Sequence, residues 1–198
     1  PMRLSVQSFQ QKFDPDDPRI HKKVEEYSKT LIQQIDTMSS IASAFSNFAK
    51  MPAQKLELLN IIEVIELTLD IFPDSDIKFI PQESNISVNF DRSQLIRIIT
   101  NLVKNSIQSI PLNRTPNISI VVGSDNLEVI IVVKDNGSGV EDSIESKIFE
   151  PRFTTKSSGM GLGLPMIKSI IETYNGSISF SSIIGEGSEF TIRFPKNN

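Results

Sequence analysis

Cysteine is absent from the 198 residues, and histidine occurs once, as His21. With no cysteine there is no disulfide framework and no thiolate metal site. One imidazole leaves few good zinc ligands. The net charge is −4 and no basic tail is present, so nothing favours a nucleic-acid partner through phosphate neutralisation. No apolar run approaches the roughly 20 residues that cross a bilayer, and no signal-peptide pattern is visible. The chain opens at Pro1 without an initiator methionine, as expected of a piece of a longer protein. Glycine is missing until Gly123, yet eight of the nine glycines fall between Gly137 and Gly187. Glycine costs conformational entropy, so such a cluster marks backbone that bends unusually or approaches a ligand closely.

What is present begins with helical spacing. Met2, Val6, Phe9 and Phe13 recur at fours and threes, and Asp14-Pro15-Asp16-Asp17-Pro18 interrupts them. Asp17 and Pro18 suit an N-cap and a first helical position. Ile20, Val24, Tyr27, Leu31, Ile35, Met38, Ile41, Phe45 and Phe48 then form a bundle seam. A two-helix hairpin hides such a seam poorly, which predicts a homodimer through a four-helix bundle. Met51-Pro52 ends the helix and begins a linker.

A different pattern follows. Asn60 with Glu63 resembles a capping box before a helix reaching Phe72. Strands are expected at Ile77–Ile80 and Ile86–Phe90, and Asp91 with Gln94 caps a helix to about Ile110, stopped by Pro111. Ile118–Val122 and Leu127–Val133 read as a hairpin. A helix over about 162–174 and strands Ser177–Ser181 and Glu189–Phe194 complete an α/β two-layer sandwich. The fold class is thus α+β, a helical hairpin over 1–52 followed by a sandwich domain over 53–198.

On the helix from Arg92, Leu95, Ile99, Leu102 and Ile110 form an apolar stripe, while Asn101, Asn105 and Gln108 share another face. Carboxamide oxygens suit Mg²⁺, which keeps waters and substrate phosphates as its other ligands. By itself such a triplet is more often a solvated polar face. Asp135-Asn136-Gly137-Ser138-Gly139 follows an apolar strand, and a buried carboxylate there can accept from a base amino group. Gly159-Met160-Gly161-Leu162-Gly163-Leu164 leads into a helix whose free N–H groups make a natural phosphate site. Between them lie Phe149, Pro151, Phe153, Thr154, Thr155 and Lys156, whose ammonium can reach a terminal phosphate. Gly185-Glu186-Gly187-Ser188-Glu189-Phe190 closes the set, though alone it is a plain hairpin turn.

Taken in order, these pieces resemble one family. Asn101-x-x-x-Asn105 resembles the N box of sensor histidine kinases, Asp135–Gly139 their first glycine box, and Phe149–Phe153 their F box. Gly159–Gly163 and Gly185–Phe190 resemble their later glycine boxes. The wider superfamily includes gyrase B and the MutL mismatch-repair proteins, and the likeness covers roughly residues 60–195. Pro1-Met2-Arg3-Leu4-Ser5 resembles the stretch just after the phosphoacceptor motif His-Glu-x-x-Asn-Pro, and Phe45–Pro52 resembles the end of the second dimerisation helix in nitrogen-regulation type kinases. Arg152, between Pro151 and Phe153, departs from the aromatic common there, and Pro165 from the usual small residue.

The resemblance implies an ATP-binding domain of the histidine kinase type. Asp135 would accept from the adenine amino group with Ser188 assisting, Asn105 would hold Mg²⁺, Asn101 would support the phosphates, and Phe149–Gly161 would act as a lid. Gln108, Gly137, Gly139, Phe153, Thr154, Thr155, Lys156, Gly159, Gly161, Leu162, Gly163 and Leu164 complete the implied nucleotide site. The phosphoryl would pass to a histidine upstream of Pro1, because His21 sits beside the hairpin turn, and then to an Asp of a response regulator receiver domain. The location implied is cytoplasmic, with membrane attachment only through segments outside this chain. The rivals are a non-catalytic nucleotide-gated module and an ATP-driven clamp, for whose transducer domain this chain has no room.

Overall fold

Helix and strand periodicities divide the chain near its fiftieth residue, and a computed structural model divides it there as well, into Pro1–Met51 and Pro52–Asn198. The structure describes residues 2–15, 17–49, 54–73, 75–155 and 161–196, without the side chains of 2–5, 12, 36, 37 and 39–49.

The first unit is two helices, α1 (Met2–Lys12) and α2 (Ile20–Ala49). Asp17 starts the second. Its Oδ1 accepts the Arg19 N–H at 2.8 Å and its carbonyl accepts that of Ile20 at 2.8 Å, which supplies partners to the first turn. Phe9 of α1 stacks on Tyr27 of α2, with ring centroids 4.2 Å apart and planes at 10°. Ile20, Tyr27 and Leu31 of the predicted seam are half-buried. Val24, Ile35 and Met38 of the same seam stay exposed, as does Ile32. Ile41, Phe45 and Phe48 lie outside the described side chains, and Met51–Pro52 outside the described residues.

The second unit runs β1 (Glu57–Asn60), α3 (Ile61–Leu69), β2 (Ile77–Pro81), β3 (Ser87–Phe90), α4 (Arg92–Ser109), β4 (Ile118–Ser124), β5 (Glu128–Asp135), α5 (Asp142–Glu145), α6 (Gly163–Thr173), β6 (Ser177–Ile183) and β7 (Gly187–Pro195). The main sheet has the order β2-β4-β5-β7-β6, parallel only between β2 and β4. Helices α3, α4 and α6 form the second layer. Period-two alternation points Val129, Ile131 and Val133 of β5 inward, opposite Phe194, Ile192 and Phe190 of β7. Against them sit Leu95, Ile99 and Leu102 of α4, all fully buried. Each such side chain contributes about 1.5–3 kcal/mol by leaving water.

Asp91 caps α4, its Oδ1 accepting the N–H groups of Ser93 and Gln94 at 2.9 and 3.1 Å. Burial pushes its carboxyl pKa up, but hydrogen bonds from Ser93, Lys55 and Gln94 outweigh that and hold it below the usual aspartate value. Tyr174, at the end of α6, stacks on Phe90 at 3.7 Å. Its hydroxyl accepts the Asp91 N–H at 3.1 Å and donates to Gln94 Oε1 at 2.7 Å.

Four details depart from the sequence reading. Strand β1 was not expected, because Glu57-Leu58-Leu59-Asn60 does not alternate. It pairs β3 in a separate two-stranded sheet, so β3 lies outside the main one. Helix α3 stops at Leu69 rather than Phe72, the last residues tightening into turns in which Ile71 and Phe72 bond three residues back. Asn60 does cap α3, but Glu63 meets the Asn60 side chain at 3.0 Å and not its backbone.

Candidate functional site

The inward series of β5 ends on a charge. Asp135 continues the phase of Val129, Ile131 and Val133, so a carboxylate occupies the position of a core residue and is 4 % exposed. Its Oδ1 accepts the Gly137 N–H at 2.8 Å and the Ser109 hydroxyl at 3.0 Å. Burying a carboxylate is costly unless it is hydrogen-bonded in this way. The β5–β7 register places Ser188 directly opposite, and Ser188 Oγ lies 3.0 Å from Ser182 Oγ.

Asp135 lines a cavity of about 330 Å³. The polar face of α4 forms one wall, with Asn101, Asn105 and Gln108 together as their spacing predicts. Asn101 donates its amide to the Arg97 carbonyl at 2.8 Å, and its Oδ1 faces Gly163, where an added Cβ would come within 3.0 Å. Phe153, Thr154, Thr155, Gly161, Leu162, Gly163, Leu164 and Ser188 also line the cavity. Gly161 has φ of +62°, a conformation side chains rarely adopt, and its carbonyl accepts the Arg152 N–H at 2.9 Å. Leu162, at the N-cap of α6, gives the helix no side-chain cap. The helix's first N–H groups, at the positive end of its dipole, border the same space. Arg152 itself takes φ of 71°, and Phe149 lies 5.8 Å under the Lys168 ammonium of α6.

Gly137 and Gly139, expected in the site, shape it from behind and do not line it. A Cβ on Gly137 would overlap Ser109 Oγ and lie 2.7 Å from Asp135 Oδ1. One on Gly139 would meet the Ile183 carbonyl. Lys156 and Gly159, with Met160, lie outside the described residues. The sequence reading missed Lys104, Ser109, Val140, Ile148, Pro165, Phe180 and Phe190 as lining residues. Ser109 follows Asn105 by one helical turn, a signal that was available. Phe180 and Phe190 are cross-strand partners, which no local spacing reveals.

The donors suit a nucleotide with a hard cation. The row on α4 offers neutral carboxamide oxygens, and among the described residues no group of three or more His, Cys, Asp or Glu gathers to cage a metal. Such a row fits Mg²⁺, which draws its remaining ligands from phosphates and water.

Comparison with known proteins identifies the family. The family model for the histidine kinase-, DNA gyrase B-, and HSP90-like ATPase matches residues 90–198. Signal transduction histidine-protein kinase AtoS of Escherichia coli (strain K12) is 30% identical over 194 residues, 95% of this chain and 31% of that protein. Sporulation kinase A of Bacillus subtilis (strain 168) is 37% identical over 115 residues, 58% of this chain and 19% of that protein. The chain therefore spans only a minor part of these curated relatives. The nucleotide-free catalytic domain of histidine kinase ThkA superposes with a TM-score of 0.66 at 28% identity, covering 73% of this chain and 97% of that one. ThkA crystallised with response regulator protein TrrA gives a TM-score of 0.72 at 21% identity over 98% of this chain and 56% of that one, a likeness of fold alone. With its carboxylate, carboxamide row and uncapped helix around one cavity, the chain belongs to the histidine kinase-, DNA gyrase B- and HSP90-like ATPase family, as the catalytic ATP-binding domain of a sensor histidine kinase.

Proposed function

We propose that this pocket binds ATP with Mg²⁺ and presents the γ-phosphoryl group for transfer to a histidine imidazole outside these residues. The observation that carries the reading is that the Asp135 carboxylate, the carboxamide row and the start of α6 all line one cavity. Gly137 and Ser109 both engage Asp135 Oδ1, and among the described residues no donor reaches Oδ2. Oδ2 accepts from the adenine amine, with Ser188 beside it. Asn105 would hold Mg²⁺, which when bound neutralises phosphate charge, and Asn101 supports the phosphates. The N–H groups opening α6 orient the phosphate chain; phosphoryl transfer needs little more than such positioning and charge stabilisation. The γ-phosphorus bond to its bridging oxygen breaks as the bond to the imidazole nitrogen forms, and ADP leaves.

Residues 1–52 serve as part of a dimerisation and phosphotransfer hairpin, and 53–198 as the nucleotide domain. Exposed Val24, Ile35 and Met38 on α2 support pairing with a second copy. The ThkA–TrrA complex supports a response regulator as the next phosphoryl acceptor.

Calorimetry with ADP tests the pocket. Asp135→Asn turns one acceptor oxygen into a donor and removes the charge. A hydrogen bond to a charged group contributes about 1.5–3 kcal/mol, roughly ten- to a hundredfold in affinity. Unchanged ADP affinity in that variant would sink the assignment. Removing Mg²⁺ with a chelator is expected to weaken ADP binding further.

A further inference from the structure

The turn after Asp135 is held in large part by a residue outside the cavity lining. Arg114, in the loop joining α4 to β4, donates Nη1 to the carbonyls of Asn136 and Gly137 at 2.6 and 2.7 Å. A peptide unit is planar, so its C=O and N–H point in opposite, coupled directions. The unit joining Asn136 to Gly137 has its carbonyl on Arg114 and its N–H on Asp135 Oδ1, 2.8 Å away. The next unit has its carbonyl on Arg114 and its N–H, from Ser138, on the Ser109 carbonyl at 2.9 Å. Both units are thus pinned at both ends. The Asn136 side chain adds two more ties to the same loop, donating to the Thr115 carbonyl and accepting the Asn117 N–H, each at 2.9 Å.

We infer that Arg114 is a positioning residue for base recognition: by fixing the Asn136 and Gly137 carbonyls it aims the Gly137 N–H at Asp135 Oδ1 and so turns Oδ2 toward the exocyclic amine of the base. Without the guanidinium, the two peptide units rotate, Gly137 releases Oδ1, and the carboxylate samples orientations in which neither oxygen meets the amine. The loss falls on the amine contact and spares the phosphate end, which is built on Asn101, Asn105 and α6. The inference rests on the reading of Asp135 as the base acceptor.

The test compares two ligands by calorimetry on the 198-residue chain with Mg²⁺: ADP, and the diphosphate of purine riboside, which lacks only that amine. Arg114→Ala is expected to weaken ADP about tenfold, the equivalent of one charge-assisted hydrogen bond, and to leave the analogue nearly unchanged, so the preference for ADP collapses. Arg114→Gln, which keeps a donor for one carbonyl, retains part of the preference, and it decides the matter if the alanine variant does not fold. Equal losses for both ligands, or a preference kept in full, overturns the clamp. Asp135→Asn separates the two ideas. If it abolishes the preference while Arg114→Ala does not, only the clamp fails. If it leaves both affinities intact, the base pocket fails and takes the clamp with it.

Discussion

Tyr174→Phe removes one oxygen and keeps everything else. The ring continues to stack on Phe90, so the packing is conserved. What is lost is a hydroxyl that both accepts from the Asp91 N–H and donates to Gln94 Oε1. The hydroxyl-bearing residue is 3 % exposed, and Asp91 and Gln94 are each 7 % exposed, so water replaces it poorly. A buried polar group left without its partner costs about 1–3 kcal/mol. Two groups near the lower end of that range give about 2–3 kcal/mol, or a fall in Tm of roughly 5–10 °C for a domain of this size. Scanning calorimetry or thermal circular dichroism reads it directly. Adding Gln94→Met should cost less than the sum of the single changes, because an orphaned acceptor is removed with its partner. The pH dependence gives a second check. Burial raises the Tyr174 pKa and the Asp91 charge raises it further, against the opposing Asp91 N–H. The folded value therefore exceeds the unfolded value of about 10. The stabilisation is complete below that pH and drains away as pH rises through the folded pKa, so the gap between wild type and variant narrows in strong base. A Tm within a degree of wild type would refute the accounting.

Gly137→Ala should weaken ADP at least tenfold while the fold persists, since a Cβ there displaces Ser109 and Asp135 and overpacking costs about 1–3 kcal/mol; an intact ADP isotherm would show that the turn yields without disturbing the carboxylate. Light scattering should give twice the chain mass, and Ile35→Asp with Met38→Asp should shift it toward a monomer; variants that scatter like the parent would mean the exposed stripe on α2 is not the contact. Incubation with γ-labelled ATP should leave no acid-labile phosphate on this chain, whose one histidine is exposed at the start of α2, and a labelled His21 peptide would contradict that.

Much of the site was legible because its parts obey local periods. Asn101, Asn105 and Gln108 declare their common face by helical spacing, and Asp135 follows an apolar strand in phase. The α4 cap was readable from Asp91 and Gln94, but only half of its content: Gln94 offers its backbone to Asp91 and sends its side chain to Tyr174, 80 residues away. Ser109 and Arg114 were not read, although both hold the turn after Asp135. Their partners lie on β5 and beyond, and a strand pairing set by the whole sheet brings them together. Strand β1 escaped for the opposite reason, since its outward Leu58 faces solvent and breaks the alternation.

Helix α4 reaches two separate parts of the pocket, Ser109 against Asp135 and Asn101 against the start of α6. The eight residue steps from one to the other span about 12 Å at 1.5 Å per residue. That makes the helix a ruler. On the proposed nucleotide reading, the spacing between base end and phosphate end is set by backbone hydrogen bonds and not by loops that can adjust, so the pocket would measure the length of its ligand as well as its chemistry. One residue inserted between Asn105 and Ser109 would lengthen the ruler only slightly, yet it would turn the two ends about 100° out of line. A helix of unchanged stability would then read no nucleotide at all.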